Sequence, residues 1–245
     1  MRKWRQHTGE IGQGLIEYAL LAILAVLAAV LALGALGVSL QSVYTHVVAA
    51  LGGQSCDVYY QSAFDKGMNE WSPITGGGLW KGGWRIVGGK MVGEPLAAAT
   101  LKSFNQSDVA VTADGVTLEN VRTTWQGFGI IWRASVDKGN LSGYMFEVEK
   151  KDSKDPGLMY FSKWVKGNQV VPPLASAPPP PGFDWTRIGQ MRVVMQGDTM
   201  TAYLNGVPVL KARDTTYTGG SAGVAANYGS RATISGFSVA SPDCP

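Results

Sequence analysis

From Tyr18 to Cys56 the chain carries no Asp, Glu, Lys or Arg, a run of 39 residues. The overlapping stretch Leu15 to Leu40 reads LIEYALLAILAVLAAVLALGALGVSL, rich in Leu and Ala, free of Pro and charged only at Glu17. A helix apolar on every face belongs in a core or in a membrane, and about 20 such residues span a bilayer. Continued through Tyr44 to Leu51, the 37-residue helix would be about 55 Å long, more than a bilayer requires. Gly34 and Gly37 lie late in the run, each weakening the helix by roughly 1 kcal/mol relative to Ala and permitting a bend. The net charge of +3 hides an uneven distribution: residues 1 to 12 hold +2, Glu17 adds −1, and residues 57 to 245 hold +2. So small an excess excludes a polyanion binder held by bulk charge, and no nucleic-acid partner is expected. With 10% aromatic and only 16% charged residues, the chain is not largely disordered either.

The N-terminus departs from a secretory signal, which would place a small-residue cleavage site beyond the apolar stretch. Here Gly12 precedes that stretch and Glu17 stands at its entrance. A carboxylate at the edge of a membrane helix marks function by default. The segment Gly12-Gln13-Gly14-Leu15-Ile16-Glu17-Tyr18-Ala19-Leu20-Leu21 resembles the N-terminus of Flp-type (tight-adherence, class IVb) type IV pilins. The resemblance covers roughly residues 1 to 45. It implies a leader over 1–12, removed by a prepilin peptidase between Gly12 and Gln13, and a hydrophobic assembly helix over 13–52. It further implies that Gln13, Glu17 and Tyr18 act in assembly, the Glu17 carboxylate meeting the freed amino group at Gln13 of a neighbouring subunit. The implied partners are copies of the chain in a helical filament, the peptidase and the pilus assembly machinery. The precursor would wait in the cytoplasmic membrane before joining an extracellular pilus on the cell surface. A plain signal anchor and an archaeal pilin are the alternatives.

Past Gly52-Gly53-Gln54-Ser55 the pattern changes to short alternating segments separated by Gly, Asn and Asp, which marks a domain over 53–245. Val109–Ala113, Gly129–Arg133, Tyr144–Glu149, Met191–Met195 and Met200–Leu204 are strand-like by length and β-propensity. Asn205-Gly206 before Val207-Pro208-Val209 is a strong hairpin signal. Many short strands without a second helix predict a β-sandwich, so the expected class is α+β: one long N-terminal helix, then an all-β jelly roll.

Several segments of this domain resemble the concanavalin-like, laminin-G-like jelly rolls. They are Gly82–Ile86 with Gly89-Lys90-Met91, Gly127–Arg133 with Gly143–Val148, and the series Trp185, Gly197-Asp198, Leu204-Asn205-Gly206, Asp214 and Gly219–Val224. They cover about 57 to 240 and speak for fold rather than function. Cys56 and Cys244 bracket the domain. In an exported protein an even pair at the borders is most simply one disulfide, and a jelly roll that sets its first and last strands side by side makes the pairing feasible. It would close a loop of 187 intervening residues. Two free thiols are the alternative.

No catalytic residues, metal site or cofactor are expected. Glu147, Glu149 and Asp152, in FEVEKKD, superficially resemble the acidic trio of laminarinase-type hydrolases. Strand alternation instead sets Phe146 and Val148 on one side and the two glutamates on the other, running into a solvated Lys150-Lys151 hairpin end. His7 lies in the leader and His46 in the helix, so no histidine serves the sandwich, and the cysteines are not spaced for zinc. The last strand, Ile234–Val239, lacks the acidic residue that would favour calcium.

Seven of eight Trp fall in the sandwich domain. Trp71, Trp80 and Trp164, in Gly- or Lys-rich loop contexts, are the candidates for a glycan platform, with packing as the alternative; Trp84, Trp132 and Trp185 match core positions of the jelly-roll family. Pro172 to Gly182 holds six of the twelve prolines and is expected to be an exposed polyproline-II loop. Asn105 and Asn140 head Asn-x-Ser sequons. The combined expectation is a major pilin subunit of a Flp/Tad-like pilus that is not an enzyme and displays its sandwich for adhesion or protection. The alternative is a membrane-anchored carbohydrate-binding or carbohydrate-active surface protein.

Overall fold

The computed structural model describes residues 56–120 and 124–244. The expected leader and helix over 1–52, with Gly12, Gln13, Glu17 and Tyr18, lie outside the described residues. Among the described residues no helix is long and apolar enough to cross a membrane.

The described chain is an all-β sandwich of two antiparallel sheets. The first contains β1 (Val58–Ser62), β3 (Trp84–Val87), β4 (Lys90–Gly93), β6 (Val109–Asn120), β12 (Arg187–Gln196), β13 (Thr199–Leu204), β14 (Val207–Arg213), β16 (Ser230–Ile234) and β17 (Gly236–Ala240). Its order is β14-β13-β12-β6-β16-β4-β3, with β17 joining β6 to β1. The second contains β2 (Trp71–Pro73), β5 (Ala97–Leu101), β7 (Gln126–Asp137), β8 (Asn140–Lys150), β9 (Leu158–Val165), β10 (Asn168–Gln169), β11 (Ala175–Ala177) and β15 (Ser221–Ala226). Its order is β10-β9-β8-β7-β15-β5-β2, with β11 on the flank of β9.

Period-two alternation builds the core. Val109, Val111 and Ala113 of β6 and Met191, Val193 and Met195 of β12 face Phe128, Ile130 and Trp132 of β7 and Tyr144, Phe146 and Val148 of β8. The Asn205-Gly206 turn joins β13 to β14 with both residues at positive φ, 50° and 79°, as a tight hairpin of this hand requires. Cys56 and Cys244 form a disulfide with Cα atoms 4.7 Å apart, and β1 pairs with β17 beside it.

The Pro172–Gly182 segment corrects the sequence expectation. Ala175–Ala177 pairs with Met159–Phe161 of β9, because the Ala-Ser-Ala stretch between the prolines retains the N–H donors a ladder needs.

The outer face of the second sheet is covered: Ile131, Met145, Trp164, Ala98 and Ala225 form a second apolar cluster beneath Ile74, Leu79 and Trp80 from the segment between β2 and β3. That segment is tied down by Ile74 N donating to Ala98 O at 2.8 Å and by Lys81 N and Gly82 N donating to Leu96 O at 3.0 Å.

Candidate functional site

Where the cover ends, a cavity remains on this outer face, of about 330 Å³ including its open mouth. Strand alternation on β8 points Glu147 and Glu149 to this side, and the antiparallel register sets Glu147 directly opposite Tyr160 of β9. Trp80 and Trp164 form apolar walls, with ring centroids 5.8 Å apart, and Asn227, which follows β15, closes the far side. Tyr228 and Gln169 complete the mouth, Tyr228 being 43% exposed.

Two glycines of β7 lie beneath Glu147 and Asn227. A Cβ on Gly129 would lie 2.6 Å from Met145 Sδ and 3.2 Å from Glu147 Cγ; one on Gly127 would lie 2.9 Å from Asn227 Nδ2. Both positions must be bare for the glutamate stem and the amide to lie over the sheet.

The polar groups form one network. Tyr160 O–H donates to Glu149 Oε2 and reaches Glu147 Oε2 at 3.1 Å. Ser162 Oγ donates to Glu147 Oε1 at 2.5 Å, and Trp164 Nε1 donates to Ser162 Oγ at 3.0 Å. The Asn227 amide lies close to both glutamates and favours their charged forms. Glu147 is only 3% exposed. Burial, followed by the charge of Glu149, pushes its carboxyl up to about 7, against the pull of the Ser162 and Tyr160 hydrogen bonds and of the Asn227 amide. Burial also raises Glu149, and burial together with the two carboxylates drives the Tyr160 phenol upward, so it stays a donor.

Glu147 gives the sandwich, which contains no histidine, a pH response near neutrality. Glu147 holds its proton more tightly folded than unfolded, so its contribution is fully present below about 4.5 and is lost as pH rises through about 7. The gap is worth about 3 kcal/mol. Glu147→Gln, which keeps the shape and cannot ionise, is therefore expected to raise stability by about 2–3 kcal/mol at pH 8 and by little at pH 5. Urea unfolding of the full-length protein at both pH values checks this; equal effects would disprove the burial of an ionisable Glu147.

The structure disperses the tryptophan candidates. Trp71 is a correction: at 2% exposure it sits between the sheets, 5.0 Å edge-on to Phe237, and its indole donates to Tyr60 Oη at 3.1 Å, leaving no face for a sugar. Trp80 and Trp164, each 5% exposed, are walls of the cavity rather than open platforms. The indole N–H groups of Trp80, Trp84 and Trp132 are buried without an acceptor, and of these Trp80 lines the cavity. Asn105 is exposed, whereas the Asn140 side chain is wedged so that a Cβ on Gly77 or Gly167 would meet its Oδ1 at 2.8 or 2.7 Å. Among the described residues no group of His, Cys, Asp and Glu is gathered as a metal ion needs. Sequence reasoning passed over Tyr160, Asn227 and Tyr228; the one local signal was the paired glycines of Gly127-Phe128-Gly129, which announce something lying close above a strand.

No protein-family model matches this chain, and no curated protein matches it. Solved structures do. A carbohydrate-binding module from Bacillus subtilis superposes with a TM-score of 0.54 at 20% identity, over 67% of this chain and 91% of that one. An endo-β-1,3-glucanase from Pyrococcus furiosus gives 0.54 at 13% identity, over 77% and 95%. A protein with a galectin-like fold from Bacillus subtilis gives 0.52 at 15% identity, over 76% and 97%. At such identities the likeness establishes the fold: the described domain is a β-sandwich of the galectin and carbohydrate-binding-module kind.

Proposed function

We propose that this is a surface protein whose sandwich binds carbohydrate in the cavity on the outer face of the second sheet, without turning it over. The observation that carries the reading is the cavity itself, which combines aromatic walls with a small set of convergent hydrogen-bonding groups, the make-up of a ligand site. The half-exposed Tyr228 ring at the mouth suits the C–H face of a sugar ring, while Asn227, Tyr160 and Glu149 suit its hydroxyls. The fold likeness to carbohydrate-binding and glucanase domains supports the reading by analogy. Binding rather than hydrolysis fits the engagement of Glu147, whose two oxygens are already held by Ser162 and Tyr160.

A glycan array with the full-length protein tests the reading. Tyr228→Ala, at the exposed mouth, is expected to weaken the recognised glycan about tenfold with the unfolding midpoint unchanged. No binding to any glycan, or binding indifferent to this change, would count against it. Release of reducing ends from a bound oligosaccharide would overturn the non-catalytic part.

A second reading concerns display and is favoured by Gly12 to Leu21: the chain is a pilin that carries the sandwich on a filament. The two are compatible, since assembly would use the N-terminal segment and binding the sandwich. A mature mass beginning at Gln13, and loss of filaments on Glu17→Ala, are the expected results; retention of Met1 in the native product would remove this reading.

A further inference from the structure

We infer that the cavity takes a sugar unit bearing a free, protonated amino group, so that its preferred ligand is a de-N-acetylated hexosamine glycan rather than a neutral or acidic one. This rests on the carbohydrate reading of the same cavity.

The charge of the lining carries the argument. Two carboxylates face the cavity, and no Lys, Arg or His lines it. The ion-paired cations of the described residues are engaged elsewhere: Lys163 with Asp214, Arg133 with Asp108, Arg85 with Glu94, and Arg231 with Glu94 and Glu119. Lys150, next to Glu149 in the chain, holds its ammonium over the Trp185 ring, 5.3 Å from the centroid. The donors that reach Glu147 and Glu149 are therefore neutral ones, from Ser162, Tyr160 and Asn227. A single Tyr160 O–H is shared between the two carboxyl groups and no cation reaches either of them, so the pair carries an excess of negative charge.

An ammonium group answers that excess. It offers three donors and a positive charge to a pair that no cation reaches, and charge-assisted hydrogen bonds are the stronger kind. A sugar hydroxyl offers one donor and no charge. A uronic acid or sulfated sugar would bring a further negative charge against this acidic pair. Trp80, whose buried indole N–H has no acceptor, is among the residues that line the same cavity. The half-exposed Tyr228 ring at the mouth adds an aromatic face, which attracts a cation as well as a sugar ring.

Binding in this mode is linked to a proton. Glu147 is faced by Glu149 on its own strand, by Tyr160 and Ser162 on β9 and by Asn227 after β15, while β7 presents Gly129; Asp155 bears on Glu149. None of these is cationic. An incoming ammonium would be the cation that holds Glu147 ionised, so the glutamate proton leaves as the ligand enters.

Titration calorimetry on the full-length protein at about pH 6 decides the matter, using glucosamine oligomers, their N-acetylated forms, glucose oligomers and uronic-acid oligomers in several linkages. The amine form is expected to bind at least about tenfold more tightly than the N-acetylated and glucose forms, with the uronic form weakest. Two buffers of different ionisation heat should reveal release of about one proton per site. Glu149→Gln, folded with an unchanged or higher unfolding midpoint, should shrink the amine preference to about threefold or less. The net charge of the chain is +3, so attraction of a cationic oligomer to the bulk surface would not produce this pattern. A neutral or N-acetylated oligomer binding as tightly as the amine would overturn the inference and leave the carbohydrate reading standing. An amine preference untouched by Glu149→Gln would overturn its placement in this cavity, and absence of binding by every oligomer would defeat both.

Discussion

The double substitution Cys56→Ser/Cys244→Ser is expected to lower the stability of the sandwich by about 4–5 kcal/mol, as the chain-entropy treatment of so long a closed loop gives. The bond joins residues 188 apart in sequence, and what it closes is almost the entire domain. Its local setting adds a second consequence. β1 has one ladder partner, β17, and is anchored at its start by Ser241 N donating to Asp57 O at 2.8 Å and by Asp57 N donating to Ser241 Oγ at 3.1 Å. The Cys244 carbonyl in turn accepts from the Arg192 guanidinium of β12. Without the bond, β1 should peel from β17 before the sandwich unfolds. Urea unfolding of oxidised wild type against the double variant measures the first effect, and limited proteolysis near residues 57–62 measures the second. A loss below about 1 kcal/mol with β1 still protected would show that the ladder alone holds this edge.

Arg133→Met is the second large effect, expected at about 2–3 kcal/mol, because it strips several backbone carbonyls of a charged donor while its one acidic partner, Asp108, stays half exposed to water. Arg133 is 5% exposed, at the end of the buried part of β7, where the register shift between Trp132 and Ser135 turns it out of the ladder at φ 45°. Its guanidinium donates to Ser107 O at 2.7 Å, Tyr217 O at 2.8 Å, Gly197 O at 2.8 Å and Asp108 Oδ1 at 3.1 Å. Three loops from different parts of the chain thus converge on one planar group, and Met would leave three carbonyls and a carboxylate without that donor. Arg133→Lys, with a point charge in place of the fork, should recover only part of the loss. Unfolding midpoints of the two variants check the ordering; a Met variant within about 1 kcal/mol of wild type would mean that water replaces the guanidinium.

Both features were partly readable beforehand. Arg133 belonged to a motif read only as a matter of fold, and nothing local said that it would clamp Ser107, Gly197 and Tyr217. The cysteine pairing followed from count and position, because two sulfurs at the borders of one domain leave a single bond to make. The glutamates show the opposite case. Alternation on β8 correctly set Glu147 and Glu149 on the face away from Phe146 and Val148, yet a two-residue period says nothing of what lies above that face. The segment carrying Ile74, Leu79 and Trp80, some 70 residues upstream, buries it. The same non-local packing moved Trp71 into the core and turned Trp80 and Trp164 into walls, although all three stand in similar Gly- or Lys-rich surroundings in the sequence.

The sequence by itself determined the properties that depend on near neighbours: the charge-free run before Cys56, the strand periods of β6, β7, β8 and β12, the Asn205-Gly206 turn, and the disulfide partners. These rest on backbone sterics, side-chain alternation and composition, which act over a few residues. The tertiary structure alone decided that Tyr160 stands opposite Glu147, that Asn227 lies over Gly127, and that a segment from before β3 roofs the second sheet. Cross-strand register and loop cover join residues 13 positions apart, as for Glu147 and Tyr160, or 100 apart, as for Gly127 and Asn227, so the cavity with its acidic pair exists only once the sheets have formed.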